Sequence, residues 1–407
     1  MRVLYLSPLS GLGGAERALL DVMAAVRESN PEWDLHLISG SQGDLVSRSR
    51  ALGVHSEVAE FPHSLARAGD AGAGGPAGSG VGRLALIRGL CKAGLGVGAY
   101  VKHLSRSIER IAPDVIHANG FKMHILGAWA RPSGVPILWH VHDYVSSRPV
   151  MARLLPLHAS RCAGAVANSK SVASDLRLLC RDLSVDTVYN GVNLDRFSAV
   201  GFSADLDTMS GIPSAPRGVI RVGLLATMAR WKGHEVFLRA LSMIPTTLPI
   251  RGYIIGGALY QTNGSQYAPE ELRAIAERLG VSSRIGFTGF VEEPAAAIRA
   301  LDIVVHASTE PEPFGLAIAE AMACGKAVIS SAAGGAEEII SVGETALTFA
   351  PGDAAKLAEC ITTVASDPRL RVRLGLAGRV VAERRFDRAH LAARLIPIYK
   401  GLVSAAA

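Results

Sequence analysis

Residues 303–323 read IVVHASTEPEPFGLAIAEAMA. A β-branched run closing at His306 breaks at a turn carrying Pro311, Pro313 and Gly315, and an apolar helical stretch follows from Leu316. Strand, loop and helix in that order form the repeating unit of an α/β protein. The same alternation extends on both sides. Strand-like runs stand at residues 219–225, 250–255, 284–288 and 327–330, with helical periods at 234–241 and 270–279. The first half repeats it, with strands at 3–6, 35–38, 115–118, 137–140 and 163–168 and helices at 15–27 and 170–179. Residues 198–217, rich in Ser, Gly, Pro and Asp and without a period, separate the halves. The chain therefore reads as two successive parallel-sheet units, with a cleft between them as the natural place for a ligand.

A length of 407 residues suits two such domains. Five scattered cysteines lack paired or metal-like spacing, which points to a reducing compartment and argues against a disulfide framework or a zinc site. The first apolar run stops at Ser7-Pro8, so it reads as a strand and not a signal peptide. No stretch is long and apolar enough to span a bilayer, and a cytoplasmic enzyme is expected. A net charge of +6 fits anionic ligands such as nucleotide sugars or lipid headgroups. Its dispersed Lys and Arg do not mark a nucleic-acid binder. Residues 66–82 are Gly- and Ala-rich and read as a flexible loop. The helical pattern after it carries Arg83, Arg88, Lys92, Lys102, Arg106 and Arg110. A solvated face is the ordinary reading; a surface for an acceptor, or for peripheral contact with a membrane, is the sharper one.

Four constellations carry chemistry. Gly11-Leu12-Gly13-Gly14-Ala15-Glu16 lies between a strand and a helix, where glycines admit a ligand to the backbone and a helix N-terminus favours an anion. Glu16 stands where the dinucleotide fingerprint would place its third glycine. His140-Val141-His142-Asp143 closes another strand, and either histidine could meet a sugar hydroxyl or phosphate. Arg230-Trp231-Lys232-Gly233-His234 puts two cations in a loop leading to a helix, a combination suited to a diphosphate. The fourth is the opening stretch itself. Glu312 in the loop and Glu320 on the helix have seven residues between them, so two carboxylates can grip different parts of one elongated ligand. The amides of Gly315 and Leu316 open the helix N-terminus between them.

Together these residues resemble the GT4 family of retaining glycosyltransferases, whose GT-B fold sets two Rossmann-like, doubly wound domains facing across a cleft. The resemblance includes the Gly-Gly-Ala-Glu turn at Gly13 to Glu16, His142-Asp143, Asn168-Ser169-Lys170, Tyr189-Asn190-Gly191-Val192, Lys232-Gly233, Phe287-Thr288-Gly289-Phe290, the spaced glutamates and Gly334-Gly335-Ala336-Glu337-Glu338. It implies an acceptor-side domain over 1–197, a donor-binding domain over 198–385, and a last helix, 386–407, packing back on the first. It implies Lys232 and Gly14 at the donor diphosphate, Glu320 at the ribose, and Glu312 and His142 at the transferred sugar. Phe314, Gly315 and Leu316 would give backbone contacts, and Gly289 and Phe290 would lie at the nucleobase. Where many members carry an Arg, five residues before the lysine, this chain has Thr227, and Arg230 is the candidate replacement. The implied reaction moves a sugar from a UDP- or GDP-linked donor to a glycan, a lipid-linked sugar or a small natural product, without metal or cofactor. A nucleotide-sugar 2-epimerase of the same fold is the alternative. The missing fingerprint glycine counts against a nicotinamide oxidoreductase.

Overall fold

The first strand shows why the chain folds as it does. Val3, Leu4, Tyr5 and Leu6 of β1 (Arg2–Ser7) are all fully buried. A continuous apolar run suits a parallel strand covered on both faces. Val3 and Tyr5 point into one cluster, with Leu19, Val22 and Leu395, whereas Leu4 and Leu6 point into another, with Leu104, Ile116 and Trp139. The computed structural model describes residues 1–62, 83–257 and 264–406, the side chains of 83–95 excepted. The loop expected at 66–82 and the side chains of Arg83, Arg88 and Lys92 lie outside the described residues.

The chain divides into two units, Met1–Gly191 with Arg388–Ala407, and Val192–Asp387. In the first unit β1 is joined by β2 (Asp34–Ser39), β3 (His55–Val58), β4 (Val115–Asn119), β5 (Ile137–Val141), β6 (Gly164–Ala167) and β7 (Val185–Thr187). They form a parallel sheet in the order β3-β2-β1-β4-β5-β6-β7. The helix Arg388–Ala406 belongs to this unit and buries Leu391, Leu395 and Tyr399 beside Leu19 and Val22 of the helix Gly14–Ser29.

The second unit has six parallel strands: β8 (Ile220–Leu225), β9 (Ile250–Ile255), β10 (Ile285–Gly289), β11 (Ile303–His306), β12 (Ala327–Ser331) and β13 (Ala346–Phe349). Their order is β10-β9-β8-β11-β12-β13. Both sheets are of the Rossmann kind, and the strand order reverses between β1 and β4 in one and between β8 and β11 in the other.

The segment 198–217 differs from the period-free reading. It contains the helical turn Leu206–Met209 and lies wholly in the second unit. Asp207 pins it there, accepting bonds from Arg251 at 2.7 Å, the Tyr253 hydroxyl at 2.6 Å and Arg221 at 3.2 Å. Among the described residues no helix is long and apolar enough to cross a membrane.

Candidate active site

In the second unit the reversal point is where the polar residues gather. The loop after β8 tightens into a turn, Arg230–Lys232, and the helix His234–Met243 follows. Gly233 links them with φ at +75°, and a Cβ there would fall 1.8 Å from the Ala307 carbonyl oxygen. Only glycine lets this loop press so closely on the end of β11. Thr309 N–H donates to the Trp231 carbonyl at 2.7 Å and closes the same contact. Lys232 is thereby held against the loop that carries Glu312.

That loop is fixed from its other side. Glu312 N–H donates to Ala333 at 3.2 Å, and Gly335 N–H donates to the Glu312 carbonyl at 2.7 Å. A Cβ on Gly335 would stand 2.2 Å from the Pro313 carbonyl oxygen. Phe314 buries its ring edge-on to Phe386, 5.8 Å between centroids, and serves as an anchor. Gly315, φ +97°, then turns the chain into the helix Leu316–Ala323, whose first amides have no partner within the helix.

The result is a charged pair 80 positions apart in sequence. The Lys232 ammonium lies 2.9 Å from Glu312 Oε1 and 2.7 Å from Oε2, and 3.8 Å from the centroid of the Trp231 ring. Oε2 also accepts from His306 Nε2 at 2.9 Å and Ser308 Oγ at 2.8 Å. Ser330 Oγ stands 3.2 Å from His306 Nδ1. Burial by itself would raise the Glu312 carboxyl, but the Lys232 charge and the His306 hydrogen bond outweigh it and hold the group well below the usual carboxylate range. Glu320 is buried on the helix among Ile318, Ala319, Ala321 and Met322.

The other residues expected at the site fall at distinct places. Arg230 has a carboxylate partner of its own. It forms two 2.9 Å bonds to Glu271, a third to the Gly264 carbonyl, and lies 4.4 Å from the centroid of the Tyr267 ring. Gly289 ends the edge strand β10 with φ at +70°, and Phe290 beside it is half exposed. His306, Ser308 and Ser330 do not stand out from sequence. The signal available was a polar residue closing a buried strand at its carboxyl end, where ligands of such sheets bind.

The first unit builds its own cluster at β1 and β4. Gly14 is the first residue of the helix Gly14–Ser29. Asn119, the last residue of β4, reaches the Ala15 carbonyl with Nδ2 at 3.5 Å and accepts from His142 Nε2 at 2.6 Å. His140 differs from His142 in its partners: it bonds His117 at 3.0 Å, and His117 in turn meets the Tyr399 hydroxyl at 2.7 Å. Burial lowers these imidazoles, His142 and His117 to about 3 and His140 well below its ordinary value, so they are neutral at physiological pH. Glu16 moves the other way: burial lifts its carboxyl to about 7 against the pull of two backbone amides.

A cavity of about 770 Å³ lies elsewhere, lined by Arg2, Asp34, His55 and Glu57 at the amino ends of β1 to β3. Its charges pair among themselves, as Arg2 with Asp34 at 2.8 Å and Arg110 with Glu57. Among the described residues no group of three His, Cys, Asp or Glu side chains could hold a metal ion.

A reversed strand order with a cation and carboxylates at its carboxyl end defines a Rossmann-type enzyme for a phosphorylated, hydroxyl-rich substrate. Two family models meet the chain in turn: Glycosyltransferase Family 4 over residues 12–196 and Glycosyl transferases group 1 over residues 211–381. The chain belongs to this family of nucleotide-sugar-dependent glycosyltransferases, and its fold is GT-B. It is 29% identical to a D-inositol 3-phosphate glycosyltransferase of Xylanimonas cellulosilytica, over 70% of this chain and 71% of that one. HepE of Anabaena, solved with UDP and glucose, matches it with a TM-score of 0.78 and 24% identity, covering 98% of this chain and 99% of HepE. Sucrose-phosphate synthase of Thermosynechococcus elongatus matches with a TM-score of 0.77 and 20% identity over the whole of both chains.

Proposed function

We propose that this enzyme moves a hexose from a UDP-linked donor to an acceptor hydroxyl, with retention at the anomeric carbon and without a metal ion. The observation that carries this reading is the Lys232–Glu312 pair at the reversal point of the second sheet. Lys232 takes the diphosphate as a point charge, with the amides of Gly315 and Leu316 beside it. Glu312 orients the sugar hydroxyls and Glu320 holds the ribose, with Gly289 and Phe290 at the base. By family likeness Gly14 joins the diphosphate and His142 the sugar. A neutral His142 suits a hydroxyl better than a phosphate. The preference for uridine over guanosine follows the HepE structures, which hold UDP and UDP-glucose. In the transfer, the bond from the anomeric carbon to the β-phosphate oxygen breaks. A bond to the acceptor oxygen forms, and the acceptor's proton leaves with the diphosphate. The free thiols Cys162, Cys180, Cys324 and Cys360 fit a reducing, cytoplasmic compartment.

A thermal-shift panel of UDP, GDP and ADP with their sugar conjugates tests the donor, since a ligand of the native state raises its apparent stability. UDP and a UDP-hexose should stabilise most. Product analysis with and without acceptor follows: sugar transfer that survives EDTA is expected. A nucleotide sugar isomerised without acceptor would replace this reading with an epimerase, and loss of transfer in EDTA restored by Mg²⁺ would end the metal-free mechanism.

A further inference from the structure

The cation proposed for the diphosphate already has a partner within the protein. Two of the three ammonium protons of Lys232 face the Glu312 oxygens at 2.7 and 2.9 Å. A diphosphate entering the site is therefore a second anion asking for the same lysine. If Lys232 turned to it with nothing else in place, a buried carboxylate would be left uncompensated, which is strongly unfavourable.

The structure holds a second set of partners for that carboxylate. His306 Nε2 and Ser308 Oγ both reach Oε2, at 2.9 and 2.8 Å, and neither depends on Lys232. An ionised carboxylate oxygen 2.9 Å from a ring nitrogen requires that nitrogen to carry the proton, so Nε2 donates. Ser330 at Nδ1 holds the ring from behind. His306 and Ser330 sit on neighbouring parallel strands, β11 and β12, in direct register, so the ring is set by the sheet and not by the loop that carries Glu312.

We propose that Glu312 is the resident counter-ion of Lys232, displaced from it by the donor diphosphate, and that His306, with Ser308, is the positioning residue that keeps Glu312 in place when Lys232 turns to the phosphate. This rests on the donor reading above. Its consequence runs against intuition, because a residue that serves the sugar opposes binding of the bare nucleotide.

The test is a double-mutant cycle read by calorimetric UDP affinity, with kcat and KM for transfer alongside. Glu312→Gln should tighten UDP by about tenfold while transfer falls. His306→Leu should weaken UDP by a similar factor, because a carboxylate stripped of His306 leans harder on Lys232, and should lower kcat. In the Glu312→Gln background, His306→Leu should change UDP affinity by less than about twofold. His306→Gln, which restores an N–H donor, should recover most of the wild-type affinity and kcat. If His306→Leu does not fold, Ser308→Ala takes its place in the cycle with the same sign. Unchanged or weaker UDP binding by Glu312→Gln, or a His306 effect that persists in its background, overturns the proposal. A wild-type protein that binds no nucleotide in the panel overturns the donor reading itself, and this inference with it.

Discussion

Glu312 and Glu16 are two carboxyls whose surroundings push stability in opposite directions with pH. The Lys232 ammonium holds the Glu312 carboxyl below its ordinary range, so the pair's stabilisation is present above the unfolded carboxyl value of about 4.3 and is lost as pH falls through the folded value. Removing one partner of a buried pair costs about 3–5 kcal/mol. Lys232→Ala should therefore show a clear Tm deficit at pH 7 that shrinks in acid, and calorimetry should find UDP bound roughly ten- to a hundredfold more weakly. A deficit constant from pH 7 to pH 3, or UDP affinity unchanged, would remove Lys232 from the site. For Glu16 the folded value, about 7, lies above the unfolded one. Folding then favours the protonated acid, and stability declines as pH rises from about 4.5 through 7. Glu16→Gln escapes that loss of roughly 3 kcal/mol. Its Tm should exceed wild type at pH 8 and nearly match it at pH 5, and a Tm lower than wild type at pH 8 would refute the sign. Sequence alone could flag Glu16 as the departure from a glycine fingerprint, but not its burial, which no local spacing encodes.

At the scale of elements, the site is made by loops pressed together at two glycines. Gly233→Ala would set a methyl 1.8 Å from the Ala307 oxygen at a φ of +75°, so the Arg230–Lys232 turn must shift. Strain of this kind costs about 1–3 kcal/mol. The expected result is a Tm lowered by a few degrees, with UDP affinity reduced at least as far as stability, because Lys232 moves with the turn. Wild-type affinity in a folded Gly233→Ala protein would show that the turn does not place the lysine. The two glutamates and Lys232-Gly233 were legible because they lie within short, marked stretches of chain. The elements that escaped reading have physical reasons. In the helix Phe121–Ala130 seven of the ten residues are buried and the exposed one is Trp129, so no polar stripe reveals a period. Pro156 interrupts the pattern of Pro149–His158. The edge strands β3 and β7 are short and partly polar, with His55, Glu57 and Asp186 in them. The Asp207 turn reads as irregular because its order comes from Arg221, Arg251 and Tyr253, residues distant in the chain.

For the molecule as a whole, the chain leaves the first unit at Gly191 and re-enters it at Arg388. Alternating strands and helices announce two sheets, but no period within residues 388–406 says which sheet they cover; the family resemblance supplied that expectation. The packing shows how much depends on the return. Leu391, Leu395 and Tyr399 are buried with Val3, Tyr5 and Val22, Arg388 pairs with Glu28, and the Tyr399 hydroxyl meets His117. Burying each large side chain contributes about 1.5–3 kcal/mol, so losing three removes more than ~5 kcal/mol, comparable with the whole net stability of a domain. A chain ending at Asp387 should therefore lose the cooperative unfolding of the first unit while the second keeps its own. Tryptophan emission reports this, because Trp33 and Trp139 are buried in the first unit and Trp231 is in the second. The shortened chain should show red-shifted emission and a single calorimetric transition. It should still bind UDP within about tenfold of the full chain, if Lys232 and Glu320 supply most of the affinity. Unshifted emission with both transitions intact would mean that the first unit stands without its last helix. Loss of UDP binding with the second unit still folded would move the main donor contacts to the first unit, where Gly14 and His142 would then carry the greater share of them.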